Sequence, residues 1–255
     1  MVYTYTMKIV LLFILLNFVI IQESQAQKIT CGIGEYLVQG HFRKAYIKSD
    51  GTAVKATNVV THCKKLTSGY DFNKIIKDGL PTEWPHKIEK SQKWTTEEIN
   101  RLIEAIEGLP DYLKSILING IYRLQKSKDI SNPATNSDKA EIVLYDEAFS
   151  RNRNLSRIVA HEFAHQHYAA LTKEEKLDYR IAAEWHTEVK SGKVYWLPRE
   201  KGYIEPDGIE SAEEDYANNL EHFIHNSVKL KEISPKIYNW FYKKYPNKTK
   251  DRNYH

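Results

Sequence analysis

The sequence HEFAH at residues 161–165 constrains this chain more than any other feature. Apolar residues recur at helical spacing from Leu155 onwards, so we predict that HEFAH forms part of a helix. Histidines four residues apart lie on the same face of a helix, and both rings can reach one Zn²⁺ at about 2.0–2.1 Å. The carboxylate of Glu162 can then take a proton from a water bound at the metal. The motif therefore predicts a catalytic zinc site.

The composition favours a metal site built from imidazole and carboxylate groups. The chain of 255 residues has ten histidines and only two cysteines. Hydrophobic residues make up 42% and charged residues 27%, which excludes a wholly disordered, collagen-like or multi-span membrane protein. The net charge of +4 arises from interspersed charges, so we expect no nucleic-acid partner.

The third ligand has to come from outside the motif, because a catalytic zinc keeps three protein ligands and one open position. An acidic run at residues 210–218 offers carboxylates, and one glutamate follows His165 after 18 intervening residues. Asn218 lies one helical turn after Glu214 and could steady a ligand. With three further histidines, the candidates are Glu213, Glu214, Glu184, His186, His222 and His225.

The order of a strand, HEFAH and a later Glu-rich helix resembles the gluzincin class of zinc metallopeptidases. The stretch SAEEDYANNLEHFI at residues 211–224 is similar to a helix of secreted bacterial zinc peptidases related to the anthrax lethal-factor catalytic domain. The resemblance covers residues 95–245. Two positions depart from the pattern: Ala212 stands where these enzymes usually carry proline, and Asn218 stands where several carry an acidic residue.

The resemblance implies roles for individual residues. His161, His165 and Glu214 would bind Zn²⁺, and Glu162 would act as the general base. Tyr203, which precedes Glu214 by 11 residues, would donate a hydrogen bond to the oxyanion that forms during hydrolysis. The chain has 17 tyrosines, so the alternative for this one is a packing or surface role.

Two other positions near the motif allow different interpretations. The spacing from His165 to Glu184 is similar to that of the one-zinc aminopeptidases, but their Gly-rich exopeptidase strand is absent from the sequence. His167 lies off the ligand face of the helix, and we expect it to be structural.

The N-terminus is typical of a secretory signal peptide. Lys8 precedes an apolar run at residues 9–21, and small residues at Ser24 and Ala26 mark a cleavage site. The run of about 13 residues is shorter than the roughly 20 that a helix needs to cross a bilayer. We therefore predict cleavage after Ala26, a secreted or periplasmic location and no stable membrane anchor.

Export places Cys31 and Cys63 in an oxidising compartment, which predicts a disulfide between them. Residues 31–66 alternate apolar and polar residues between glycines, a pattern typical of short strands. We expect a small β-rich unit that the disulfide holds together.

The predicted fold class is α+β, with a zincin-like catalytic domain in which the HEFAH helix lies beside a small mixed sheet. The predicted domains are a signal peptide (1–26), a β-rich segment with linker (27–92) and the catalytic domain (93–255). Further predicted elements are a connecting stretch at 67–92, a helix capped by Thr95 or Thr96, a short helix at 111–117, a strand at 118–124, a polar loop at 127–139, an edge strand for an extended peptide at 141–145 and a closing helix at 233–246.

These features together predict a monomeric, secreted or periplasmic zinc metallopeptidase that acts on a peptide or protein substrate. One alternative is a non-catalytic envelope-binding protein in which the N-terminal β unit binds and zinc only stabilises the fold. Another is an exported zinc amidase that acts on a non-protein amide.

Overall fold

The computed structural model describes residues 31, 35–38, 40–47, 53–82, 90–125, 133–137 and 139–246. The predicted signal peptide (1–26) lies outside these residues, as do residues 127–132 of the predicted polar loop. No helix in the described part of the chain is both long and apolar enough to cross a membrane.

The chain is a mixed α+β protein with small sheets, as predicted. The strands are β1 (Glu35–Val38), β2 (His41–Arg43), β3 (Tyr46–Ile47), β4 (Ala53–Val54), β5 (Thr57–Val59), β6 (His62–Lys65), β7 (Ile76–Lys77), β8 (Gly120–Arg123), β9 (Ala134–Ser137), β10 (Glu141–Leu144), β11 (His186–Lys190) and β12 (Lys193–Leu197). The helices are α1 (Phe72–Ile75), α2 (Thr96–Glu107), α3 (Asp111–Lys114), α4 (Leu155–Ala170), α5 (Lys173–Ala182), α6 (Ala212–His225), α7 (Ser227–Ile233) and α8 (Pro235–Lys244), with 3₁₀ helices at Asp146–Phe149 and Pro206–Ile209.

A four-stranded sheet in the order β7-β8-β10-β9 forms the centre of the fold. The pairs β7–β8 and β8–β10 are parallel, whereas β9 runs antiparallel to β10. The predicted edge position of residues 141–145 is therefore wrong, because β10 pairs with β8 on one side and with β9 on the other. The two outer strands are β7 and β9, and β9 is the edge strand beside β10. The error arose because β9 is a short, mostly polar segment that was predicted as part of a loop.

Both faces of the central sheet are buried. Alternate residues of β8 and β10 point to opposite faces, and all residues of both strands are buried. One face joins the main core through Ile121, Ile142 and Leu144, and the other forms a second cluster of Tyr122, Leu124, Val143 and Tyr145.

Helices α4 and α6 pack closely against each other beside the edge strand β9. Each has an apolar stripe at helical spacing that is buried in the main core, including Val159 and Phe163 on α4 and Leu220 on α6. The predicted helix start at Thr95 is also confirmed, since Thr95 and Glu98 form a capping box at the start of α2.

Strands β1 to β6 pair antiparallel as β1–β6, β2–β5 and β3–β4, and we call these three pairs the N-terminal ribbon. Its register does not shift along its length, since Glu35 pairs with Lys65, Phe42 with Asn58 and Ile47 with Ala53. The predicted disulfide between Cys31 and Cys63 is present at its base. At this base the ribbon packs on the body of the protein, where β1 contacts α2.

The segment at 67–92 is more than the predicted connection. It contains α1 and β7, and β7 pairs with β8 in the central sheet. Phe72 and Ile75 are buried in the main core. The predicted short helix after Asp111 ends at Lys114, earlier than expected, and the predicted closing helix corresponds to α8.

Candidate metal centre

Two helices bring three potential metal ligands together. His161 and His165 lie one turn apart on α4, and Glu214 lies in the first turn of α6. The Nε2 atoms of the histidines are 3.0 Å apart, and the Glu214 carboxylate lies 3.1 Å from His161 Nε2 and 3.4 Å from His165 Nε2. A tetrahedral zinc with bonds of about 2.0–2.1 Å separates its ligand atoms by about 3.3 Å. The cluster could therefore hold a metal ion.

The ends of the two helices fix the positions of these ligands. The side chain of Asn154 accepts hydrogen bonds from the first turn of α4 and so caps that helix. Ser211 Oγ accepts from the Glu214 N–H at 3.0 Å, which sets the start of α6 directly at the ligand. An ion pair between Arg157 and Glu221 joins the two helices at the other end of α6.

The carboxylates around the cluster favour positive charge at its centre. Burial disfavours the charged form of His161, but the hydrogen bond to Glu214 and the charges of Glu162 and Glu214 outweigh it and raise the pKa of His161 to about 9. Burial also opposes ionisation of Glu214, yet the hydrogen bond from His161 and the positive charge of both histidines lower the pKa of Glu214. A divalent cation would replace the proton that these groups share.

Glu213 contacts the other ring nitrogen of His165. Its carboxylate lies 3.1 Å from His165 Nδ1, while Nε2 of the same ring faces Glu214. A carboxylate on Nδ1 holds the proton there and leaves Nε2 free to bind metal, an arrangement common in zinc sites. The structure thus places Glu213 as a partner of the candidate ligand His165.

Glu162 is buried next to the cluster and contacts the edge strand. Its side chain is 5% exposed, and burial raises the pKa of Glu162. Asn136 on β9 donates from Nδ2 to Glu162 Oε2, and Asn136 Oδ1 accepts from Gln166 Nε2 at 2.6 Å. The edge strand and α4 are therefore joined through the carboxylate that the sequence identified as the general base.

A buried ion pair supports the first turn of α6. Asp215, directly after Glu214, is fully buried and pairs with Arg199 through two hydrogen bonds of 2.7 and 2.8 Å. Further donors to the Asp215 carboxylate come from Tyr179, Trp185 and Asn219. These contacts fix the backbone beside the third candidate ligand.

The other candidates for third ligand lie elsewhere. Glu184 is exposed and pairs with Lys236 at 2.7 Å. His186 is exposed on β11. His222 is buried and contacts Glu205 at 2.7 Å. Neither these residues nor His225 join the metal-binding cluster found among the described residues.

Tyr203, the predicted oxyanion donor, lies against Arg199. Its hydroxyl donates to the Arg199 carbonyl at 3.0 Å, and its ring lies 4.1 Å from the Arg199 guanidinium. In this arrangement Tyr203 packs on the ion pair that supports Glu214. Its role as an oxyanion donor stays a prediction.

His167 and Asn218 have structural partners. Both ring nitrogens of His167 contact tyrosine hydroxyls, Tyr216 at 2.7 Å and Tyr245 at 3.1 Å, which confirms the structural interpretation. Asn218 donates to Asp207 at 2.6 Å and so joins α6 to the preceding 3₁₀ helix, rather than contacting a ligand.

Sequence reasoning missed Asn136, Gln166 and Arg199. Gln166 could have been found, since it lies four residues after Glu162 and therefore shares its helix face. Asn136 gave no such signal, because its strand was predicted as loop. Arg199 lies in a stretch with alternating charges, where a single arginine is normally solvent-exposed.

Comparison with protein-family models, with curated proteins and with solved structures finds no match for this chain. The centre is therefore defined by its own geometry.

Proposed function

We propose that the protein is a zinc-dependent metallopeptidase with a zincin-like catalytic domain. This proposal rests on one observation: His161, His165 and Glu214 converge, and the buried Glu162 directly follows His161 on the same helix. Two imidazoles and one carboxylate leave a fourth position open on a tetrahedral metal, which is the ligand set of a catalytic zinc rather than a structural one. A mixed sheet with an antiparallel edge strand beside the motif helix supports the fold.

Each residue of the centre has a distinct role in this proposal. His161, His165 and Glu214 would hold Zn²⁺, which when bound supplies a Lewis acid for the peptide carbonyl and the attacking water. Glu162 takes the proton of that water and passes it to the leaving amine.

An extracytoplasmic location is part of the same proposal. The disulfide between Cys31 and Cys63 is typical of proteins in oxidising compartments. We propose a peptide or protein as the substrate.

A hydrolysis assay with a matched pair of variants tests the proposal. We expect the zinc-loaded protein to cleave peptides from a mixed library. Glu162→Gln should bind zinc equally and lose about 10²–10⁴-fold in kcat, because only the proton acceptor is removed. Glu174→Gln changes an exposed glutamate on α5 and should leave the rate unchanged.

Two outcomes would contradict the proposal. One is a zinc-loaded protein that cleaves no peptide, and the other is a Glu162→Gln variant as active as wild type. Cross-linked peptides of the cell wall belong in the library, because cleavage of these alone would favour the amidase alternative.

A further inference from the structure

We propose that Asn136 and Gln166 form a chain of two hydrogen bonds that positions the Glu162 carboxylate for proton transfer. We call this chain, from Gln166 through Asn136 to Glu162, the amide relay. The inference rests on the proposed function, since it assigns a role in the same reaction. Neither residue is a metal ligand, and both act through Glu162.

The contacts run in one line across the edge of the sheet. Gln166 lies one helical turn after Glu162 on α4, and its Nε2 donates to Asn136 Oδ1 at 2.6 Å. Asn136 Nδ2 donates to Glu162 Oε2 and lies 3.3 Å from the Glu162 backbone carbonyl. All three side chains are buried or partly buried, so water competes little for these hydrogen bonds.

The chemistry of the amide group gives this line its direction. An ionised carboxylate can only accept hydrogen bonds, so the Asn136 end that faces Glu162 must be the NH₂ group. The Asn136 oxygen then faces Gln166, which has to present its own NH₂ group. Gln166 Nε2 also lies 3.5 Å from the Ser137 carbonyl oxygen, so Gln166 presents its NH₂ group to two acceptors and reinforces the Asn136 orientation that Glu162 requires.

This arrangement gives the two oxygens of Glu162 different tasks. Oε2 is held by Asn136, which leaves Oε1 to take the proton. A carboxylate fixed in one rotamer loses less entropy when the reaction occurs, and a misplaced catalytic group can cost about 10²-fold in rate. A buried carboxylate without the Asn136 donor would instead be free to turn away from the water.

The direction of the relay can be reversed by one nearly isosteric change. Gln166→Glu replaces the donor by an acceptor, so the Asn136 amide should flip and present its oxygen to Glu162. Two acceptors would then face each other, and the base would be pushed out of position. We expect kcat per folded, zinc-loaded protein to fall about 10–100-fold with KM close to wild type. The melting temperature should also fall, because the change adds a charge at a buried position.

A double-mutant cycle separates the relay from independent structural roles. If Gln166 acts through Asn136, Gln166→Ala should lower kcat in the wild type and have no further effect on an Asn136→Ala background. Thr135→Val is the matched control, since it alters the neighbouring residue of β9 with little change in volume, and kcat should not change.

The outcomes are distinguishable from a failure of the proposed function. If wild type is active and Glu162→Gln is not, full kcat in Gln166→Glu or additive losses in the cycle overturn the relay alone. Losses of kcat that parallel losses of zinc or of folded protein also overturn it, because they indicate a structural role. An inactive wild type overturns both proposals.

Discussion

The helix pair α4–α6 and the N-terminal ribbon differ in how many contacts fix their positions. Around the helix pair, charged groups are buried or partly buried and have defined partners: Asp215 of α6 pairs with Arg199, which precedes α6, and Arg157 of α4 pairs with Glu221 of α6. Along the ribbon the distal residues are exposed, including Phe42 and Val60, at 64% and 74%. A two-stranded hairpin alone is at best marginally stable in water. The candidate metal ligands therefore lie on the part of the molecule whose positions are fixed by many contacts, and the ribbon depends on a few attachments at its base.

Removing the buried charge of Asp215 should lower the free energy of unfolding more than any change in the ribbon. Asp215→Asn keeps the shape of the side chain but leaves the buried Arg199 without its counter-charge. We expect the free energy of unfolding to fall by about 3–5 kcal/mol. Zinc affinity should fall as well, because Glu214 is the adjacent residue. Urea denaturation and zinc titration measure the two effects.

Asp178→Asn is the control for this loss. Asp178 is exposed on α5, so the same chemical change should alter stability by no more than about 0.5 kcal/mol. Equal effects of the two substitutions would show that the buried ion pair does not hold the helix pair together.

Removing the disulfide should have an effect of intermediate size, confined to the ribbon. Cys31 and Cys63 are 32 residues apart in sequence, and the chain-entropy account gives about 3–4 kcal/mol for such a loop as an upper value. In Cys31→Ser/Cys63→Ser we expect amide-exchange protection to fall in β1 and β6 and to persist in α4 and α6. Equal loss of protection in the helices, or loss of zinc binding, would mean that the two regions unfold together.

The smallest expected effect is a pH dependence at the second attachment of the ribbon. Glu107, at the end of α2, accepts hydrogen bonds from Thr67 and Ser68, which directly follow β6. Burial alone would raise the pKa of Glu107, but these hydrogen bonds outweigh it and lower the pKa below its ordinary value. A lowered pKa in the folded state contributes stability above the unfolded pKa, and this stability is lost as the pH falls through the folded pKa.

We therefore expect the free energy of opening the ribbon at neutral pH to be about 1–2 kcal/mol higher in wild type than in Glu107→Gln. The difference should begin to shrink as the pH falls below about 4, where an ordinary glutamate is protonated, and should vanish once the pH is below the lowered pKa of Glu107. Limited proteolysis of the ribbon as a function of pH measures it. A difference that grows on acidification would contradict the assigned role of Glu107.

The same contrast explains what the sequence could predict. HEFAH requires only local helix geometry, so the placement of His161 and His165 on one face follows from their spacing. The disulfide followed from the presence of two cysteines in a chain with a predicted signal peptide. The ribbon strands followed from short-range alternation.

Features that depend on distant pairing could not be predicted in this way. Glu214 was one acidic residue among several in its run, and only a family resemblance singled it out. The position of β9 at the sheet edge depends on pairing between a polar segment and β10, which no local pattern encodes. The buried pair of Arg199 and Asp215 joins two charged residues that composition alone would place in solvent.

Zinc titration of four proteins tests the central claim, the metal site on the helix pair, most directly. We expect wild type to bind one zinc ion per chain. Glu214→Gln should bind it far more weakly, because one of the three proposed ligands is lost. Glu213→Gln should lose about 10–100-fold, as expected for a partner of a ligand, and Glu184→Gln should bind like wild type. Unchanged zinc binding in Glu214→Gln together with a loss in Glu184→Gln would contradict the account.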